Sequence, residues 1–144
     1  MSAKKLTIKS DIMDKNSEYI SNSTLYKLIY QNNILGSLSF LSFKNEISIS
    51  FFLKRYYKFN INFDYNIDSK DIFIENLYIF NKYRRSGFAT YLLSHMIIDR
   101  NPMKIILIMS KEKFLKSFYS EIFRNLNYQL ILSDNKLLIF KKDI

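Results

Sequence analysis

At 144 residues the chain is the size of one domain, and with 48% hydrophobic and 17% aromatic residues it is expected to fold around a core rather than stay disordered. The absence of cysteine excludes disulfides and thiolate metal sites, and a single histidine argues against an imidazole-based metal centre, so no metal is expected. A net charge of +9, from 22 Lys and Arg against 13 Asp and Glu, favours anionic partners, although a Lys-, Asn- and Ile-rich composition drawn from an AT-rich genome gives the same excess.

In chain order, Leu6–Ile8 reads as a brief strand and the polar stretch Ser10–Ser23 as one short helix at most. Leu25–Tyr30 reads as a strand, Gln31–Asn33 as a turn, and Ile34–Phe40 as an alternating strand in which Gly36 marks a bulge or a close approach. Ile47–Leu53 alternates with serine, and Tyr57, Phe59, Ile61, Phe63 and Tyr65 alternate with polar residues, so both segments read as strands. Between them Lys54–Phe59 interleaves basic and aromatic residues, which suits either stacking on nucleic acid or a strand edge guarded by lysines.

The second half is more regular. Ile72–Phe80 reads as a strand, in which Asp71 is expected to start the run as a solvated residue. Ala89, Leu92, Leu93, Met96 and Ile97 form one helical stripe, closed by Asn101-Pro102. Lys104–Met109 is a short apolar run that fits a strand buried on both faces. Leu115, Phe118, Tyr119, Ile122 and Leu126 make a second helical stripe, and Tyr128–Leu132 and Leu137–Phe140 read as strands joined by a turn at 133–136. No internal repeat or linker is present, which predicts a single domain over 1–144. No apolar run approaches the roughly 20 residues of a membrane span. Met1–Ser10 carries no apolar signal region, so a cytoplasmic location is the default expectation.

The junction between the strand at Ile72–Phe80 and the helix to Arg100 carries the chemistry. One of only two glycines, Gly87, stands there, followed by the first turn of the helix. A glycine allows a sharp bend and close approach of a ligand, and the first N–H groups of a helix point outward without partners. With Lys82, Arg84 and Arg85 beside them, these groups read as a cradle for a pyrophosphate or as a helix start with solvated charges.

Arg84-Arg85-Ser86-Gly87-Phe88-Ala89 resembles the Arg/Gln-x-x-Gly-x-Gly/Ala motif of the GNAT superfamily, the GCN5-related N-acyltransferases. The lead-in Leu77-x-Ile79-x-x-x-Tyr83-Arg84 is similar to that family's pattern, and the resemblance extends over Ile72–Tyr128. It implies an α/β (α+β) fold, a mixed, mostly antiparallel twisted sheet with two main helices. The family's one or two helices between the first two strands are reduced here, since the chain has room for little more than a short one.

The resemblance further implies that acetyl-CoA, or a related acyl-CoA, binds along Leu77, Ile79, Arg84, Arg85, Ser86, Gly87, Ala89 and Thr90, and that its acyl group passes to a primary amine by direct attack. An oxyanion-binding N–H is expected at a bulge around Ile79. Glu75, a carboxylate within an apolar strand, is the candidate base, with a solvated rim glutamate as the other reading. The family's acid tyrosine falls by position on Phe123, and Asn127 stands where glycine is usual. Tyr119, one turn earlier on the same helical face, is therefore the candidate acid, and His95 reads as structural or exposed.

The basic charge disfavours polycationic acceptors and makes an aminoacyl-tRNA or a ribosomal protein amine the attractive acceptor; a homodimer is compatible with the sequence. Two other readings stay open, a catalytically degenerate fold that binds acyl-CoA or a protein, and a basic nucleic-acid-binding module.

Overall fold

The computed structural model describes residues 5–109, 114–134 and 136–143; the side chain of Leu115 in the second predicted stripe, and Asn135 in the last predicted turn, lie outside the described residues. In chain order the elements are β1 (Thr7–Asp14), β2 (Ile20–Tyr30), β3 (Asn33–Phe43), β4 (Ile47–Ser48), α1 (Ile49–Tyr57), β5 (Asn66–Ile67), β6 (Asp71–Ile79), α2 (Phe88–Arg100), β7 (Lys104–Ile108), α3 (Phe114–Asn125), β8 (Tyr128–Asp134) and β9 (Leu137–Lys142). Seven of the strands form one sheet in the order β1-β2-β3-β6-β7-β9-β8. Its one parallel neighbour pair is β6/β7; the rest are antiparallel.

The connections β6-α2-β7 and β7-α3-β8 both step the same way across the sheet. Right-handed crossovers then place both helices on one face. They share a core there, in which Leu92, Leu93 and Met96 of α2 and Ile122 and Phe123 of α3 meet Leu38, Phe40, Ile72, Ile105 and Phe140 of the sheet. The opposite face is covered by α1, whose Ile49, Phe52 and Leu53 pack on Leu41, Phe73, Ile106 and Ile139. Strand β7 is buried on both sides, Ile105 and Leu107 facing one core and Ile106 the other, as its continuous apolar run predicts.

Three elements differ from the sequence expectations. The polar stretch Ser10–Ser23 is no helix: β1 and the start of β2 form a hairpin in full register, Thr7 opposite Ile29 to Asp14 opposite Asn22. Almost all of β1 is exposed, so an edge strand held by backbone bonds carries no hydrophobic period to read. Ile47–Leu53 is a strand only at Ile47–Ser48 and Tyr57–Tyr65 is none, because α1 occupies Ile49–Tyr57 and the chain from Tyr57 to β5 is loop. The buried positions Ile49, Phe52 and Leu53 have i, i+3, i+4 spacing, Ser48 Oγ caps Phe51 N–H at 3.2 Å, and Lys58 ends the helix with φ 52°. The fold therefore has a third helix beyond the two main ones expected, and the basic residues Lys54 and Arg55 lie on it rather than on a strand edge.

Gly36 is fixed by close approach. A Cβ there would lie 2.6 Å from both the Tyr78 carbonyl oxygen and Ile79 Cδ1, across the β3–β6 pairing. Gly36→Ala is expected to cost about 1–3 kcal/mol by overpacking. Urea unfolding of the variant should show a lower midpoint, with Tyr78–Ile79 displaced; an unchanged midpoint would mean β6 yields at no cost.

Candidate functional site

The sheet opens at the carboxyl end of β6. Strands β6 and β7 pair only from Asp71/Lys104 to Ile74/Leu107, whereas β6 continues beside β3 to Ile79 opposite Gly36. From Glu75 onward one edge of β6 has no strand partner among the described residues. The β3–β6 register shifts here as well, with Asn76 opposite Ser39 and Ile74 opposite Phe40, so Glu75 is the extra residue of a β-bulge. The bulge lies four residues before Ile79, where it was expected. It changes which residues face the α2/α3 core, from Ile72 and Ile74 before it to Leu77 and Ile79 after it. That change of parity is visible in the sequence Ile72-Phe-Ile-Glu-Asn-Leu-Tyr-Ile79 and is the signal that locates the bulge.

Beyond β6 a single turn of 3₁₀ helix at Asn81–Tyr83 leads into the motif residues. Arg84 folds back, its Nε donating to the Ile79 carbonyl at 2.9 Å and its guanidinium lying 5.7 Å from the Tyr78 ring. Arg85 and Gly87 both have left-handed backbones, φ 65° and 78°. Left-handed residues this close together curl the backbone, the kind of geometry in which N–H groups converge on one side. Gly87 is the N-cap of α2 and supplies no side-chain cap; the first intrahelical bond runs from Tyr91 N–H to the Gly87 carbonyl at 3.0 Å. The N–H groups of Phe88, Ala89 and Thr90 lie ahead of it at the positive end of the helix. Among the described residues, and apart from the glycine's own chain neighbours, no atom lies within 4 Å of where a Gly87 Cβ would stand. Arg84, Arg85, Ser86 and Thr90 are exposed around it, and Ala89 is half-buried.

Glu75 is exposed rather than sunk in an apolar strand. Its carboxylate accepts from Tyr57 Oη at 3.0 Å and from Ser23 Oγ at 3.3 Å. Tyr57 is the last residue of α1, and its ring packs 4.9 Å from Phe73 and 5.6 Å from Phe52. Burial, and then the charge of Glu75, push its phenol well above the usual tyrosine range. Sequence reasoning missed Tyr57 because it assigned the residue to a strand.

Tyr119 is 8% exposed in the α2/α3 core and stacks on Phe123 at 6.1 Å. Burial raises its phenol to about 12, so it holds its proton throughout the physiological range. Phe123 is fully buried among Tyr119, Tyr128 and Phe140. Asn127 takes the left-handed conformation expected of the usual glycine, with φ 69°. His95 is exposed and lies edge-on to Tyr26 at 4.9 Å.

At the opposite end of the β6/β7 pair, Asp71 is 2% exposed, not solvated as expected. It accepts from Asp68 N–H at 2.9 Å and Lys104 N–H at 3.1 Å, with Lys104 Nζ 3.5 Å away. The group anchors the closed end of the strand pair whose other end opens. Among the described residues no cluster of three or more His, Asp or Glu is placed to hold a metal ion, and no helix is long and apolar enough to cross a membrane.

No protein-family model matches the sequence, and no curated protein matches it by sequence search. Solved structures do match. An acetyltransferase of Bacillus subtilis in complex with CoA aligns over 96% of this chain and 99% of its own, with 7% identity and a TM-score of 0.55. The IAA acetyltransferase of Bacillus cereus aligns over 96% of this chain and 100% of its own, with 8% identity and a TM-score of 0.53. The chain has the GNAT fold. The chain spans 61% of the length of the PaiA N-acetyltransferase of Thermoplasma acidophilum in complex with coenzyme A, which aligns over 85% of this chain at 12% identity and a TM-score of 0.49. Within the GNAT fold, this chain joins β1 to β2 with no helix and places α1 between β3 and β6.

Proposed function

We propose that the chain is an acyl-CoA-dependent N-acyltransferase that binds acetyl-CoA at the open end of β6/β7 and passes the acetyl group to a primary amine. The observation that carries this is the start of α2, where left-handed Gly87 opens the helix and the N–H groups of Phe88, Ala89 and Thr90 precede its first intrahelical bond, on the connection that leaves the open end of β6. Those N–H groups and the side chains of Arg84, Arg85, Ser86 and Thr90 supply the donors and charge a pyrophosphate needs. The unpaired edge of β6 at Leu77 and Ile79 offers backbone groups to the amides of the pantetheine arm.

The acetyl thioester is the co-substrate. In the reaction the amine nitrogen forms a bond to the carbonyl carbon, the carbon–sulfur bond breaks, and the coenzyme leaves as a thiolate. Glu75 takes the proton that the ammonium must lose before attack. The bulge around Glu75 turns backbone N–H groups of β6 out of the ladder, where one can stabilise the developing oxyanion. Tyr119 remains protonated as a donor to the leaving thiolate, and the second proton, which the nitrogen sheds as the amide forms, restores it. An acceptor with a single amine fits the +9 chain better than a polycation, and an aminoacyl-tRNA or ribosomal protein amine is compatible with that charge.

Titration with acetyl-CoA, free coenzyme A and ATP tests the coenzyme reading: both coenzyme species should raise the melting temperature and ATP should not. Glu75→Gln should lower kcat/KM by about 10²–10⁴ while leaving coenzyme affinity unchanged. Wild-type turnover in Glu75→Gln would remove Glu75 from the reaction.

A further inference from the structure

The sheet face that carries α1 is only partly covered. Helix α1 ends at Tyr57, whose ring packs on Phe73, and beyond it the same face continues toward the open end of β6. There β3 alternates apolar residues on the α2/α3 side, Leu38 and Phe40, with Ser37 and Ser39 on the α1 side. Both serines are half-buried, opposite Tyr78 and Asn76 of β6 and opposite Lys27 and Leu25 of β2. The result is a floor with two serines at its centre, Lys27, Leu25, Asn76 and Tyr78 beside them, and Glu75, Ser23 and the Tyr57 ring at the bulge.

Two features of Glu75 give this floor a ligand class. Its hydrogen-bond partners among the described residues are both neutral hydroxyls, Tyr57 and Ser23, one to each carboxylate oxygen. No ion pair forms at Glu75 among the described residues, whereas Asp11, the nearby carboxylate on the same face, has Lys27 at 3.9 Å. On a chain of net charge +9, a carboxylate fixed by neutral donors keeps its charge available for a cation.

We infer that this floor is the acceptor site, that it takes a small hydrophilic primary ammonium approaching from the α1 face, and that Tyr57 is the positioning residue that holds Glu75 toward it. The inference rests on the acyltransfer reading. It adds that the acceptor side, built in other arrangements from helices between the first two strands, is here supplied by α1 and the serine face of β3. Tyr57 acts through Glu75: its hydroxyl fixes one carboxylate oxygen, leaving the remaining lone pairs to bind the ammonium and receive its proton.

The test is steady-state kinetics with acetyl-CoA and glycinamide, ethanolamine or L-lysine as probe amines, on wild type, Tyr57→Phe, Glu75→Gln and the double variant. Tyr57→Phe keeps the ring against Phe52 and Phe73 and removes only the hydroxyl. A hydrogen bond to a charged group predicts a fall of about 10- to 100-fold in kcat. Coenzyme affinity and KM for acetyl-CoA should not change. In the Glu75→Gln background the same substitution should cost less than about twofold, because the carboxylate it positions is gone. Wild-type kcat in Tyr57→Phe, or an equal loss in both backgrounds, overturns the positioning role. Coenzyme binding with no turnover of any probe amine overturns the acceptor assignment, whereas no coenzyme binding overturns the acyltransfer reading itself.

Discussion

Gly87→Glu should abolish coenzyme A binding and leave the fold intact. The position has φ 78°, which a side chain adopts at a cost of about 1–2 kcal/mol, but among the described residues no atom beyond the chain neighbours lies within 4 Å of the added Cβ. The loss of stability is therefore small, and the new carboxylate projects into the space over the α2 N–H groups, where it repels a pyrophosphate. At a ligand concentration about one hundred times the dissociation constant, wild type should gain about 2.7 kcal/mol from binding, seen as a rise in melting temperature. The variant should melt within a few degrees of unliganded wild type and gain nothing from either acetyl-CoA or free coenzyme A. An equal ligand-induced shift in wild type and variant would place the pyrophosphate elsewhere.

Asp71→Ala should be the most destabilising polar substitution in the chain, by about 3–5 kcal/mol. It leaves the N–H groups of Asp68 and Lys104 without their acceptor at the buried start of β6 and β7, and it takes the carboxylate from Lys104. Burial raises the Asp71 pKa above its ordinary value of 3.8, against the opposing hydrogen bonds and Lys104. Between 3.8 and the raised folded-state value, the folded chain therefore retains a proton that the unfolded chain has shed. The contribution of this group to stability is fully present below that window and declines as pH rises through it. Chemical denaturation of wild type and Asp71→Asn across mildly acidic pH should show this extra downward slope in wild type alone. A stability loss under about 1 kcal/mol in Asp71→Ala would mean that water replaces the carboxylate at both N–H groups.

The parts of the fold that were legible are those where burial imposes a period. α2 and β7 could be read because Leu92, Leu93 and Met96 face one core and Ile105–Leu107 face two. β1 could not, because an exposed edge strand is specified by backbone pairing with β2 rather than by its side chains. Helix α1 was hidden by an ambiguity: Ile47, Ile49, Phe51 and Leu53 alternate, yet Ile49, Phe52 and Leu53 also have helical spacing. The Ser48 cap and the packing of Phe52 against Phe43 and Phe73 favour the helix. Propensity over nine residues is a weak guide when both periods fit.

The site divides in the same way. Gly87 and the basic residues around it are local signals, so the junction could be found from a short stretch of sequence. Glu75 could be singled out as a carboxylate among apolar residues, but its surroundings could not. They are made by Tyr57 and Ser23, which are brought to it by α1 and by the β2–β3–β6 register. Tyr119 was placed on the correct helical face, but only packing shows that it is buried against Phe123.

Amide chemical-shift mapping with coenzyme A tests the central claim most directly. The expected result is a set of saturable shifts concentrated on Arg85–Tyr91 and on Leu77–Ile79, with the Phe88, Ala89 and Thr90 N–H resonances moving most. Adenosine, which lacks the pyrophosphate, should leave those three in place. No shifts at millimolar coenzyme A, or shifts confined to residues away from the start of α2, would contradict the assignment of this junction as the coenzyme site.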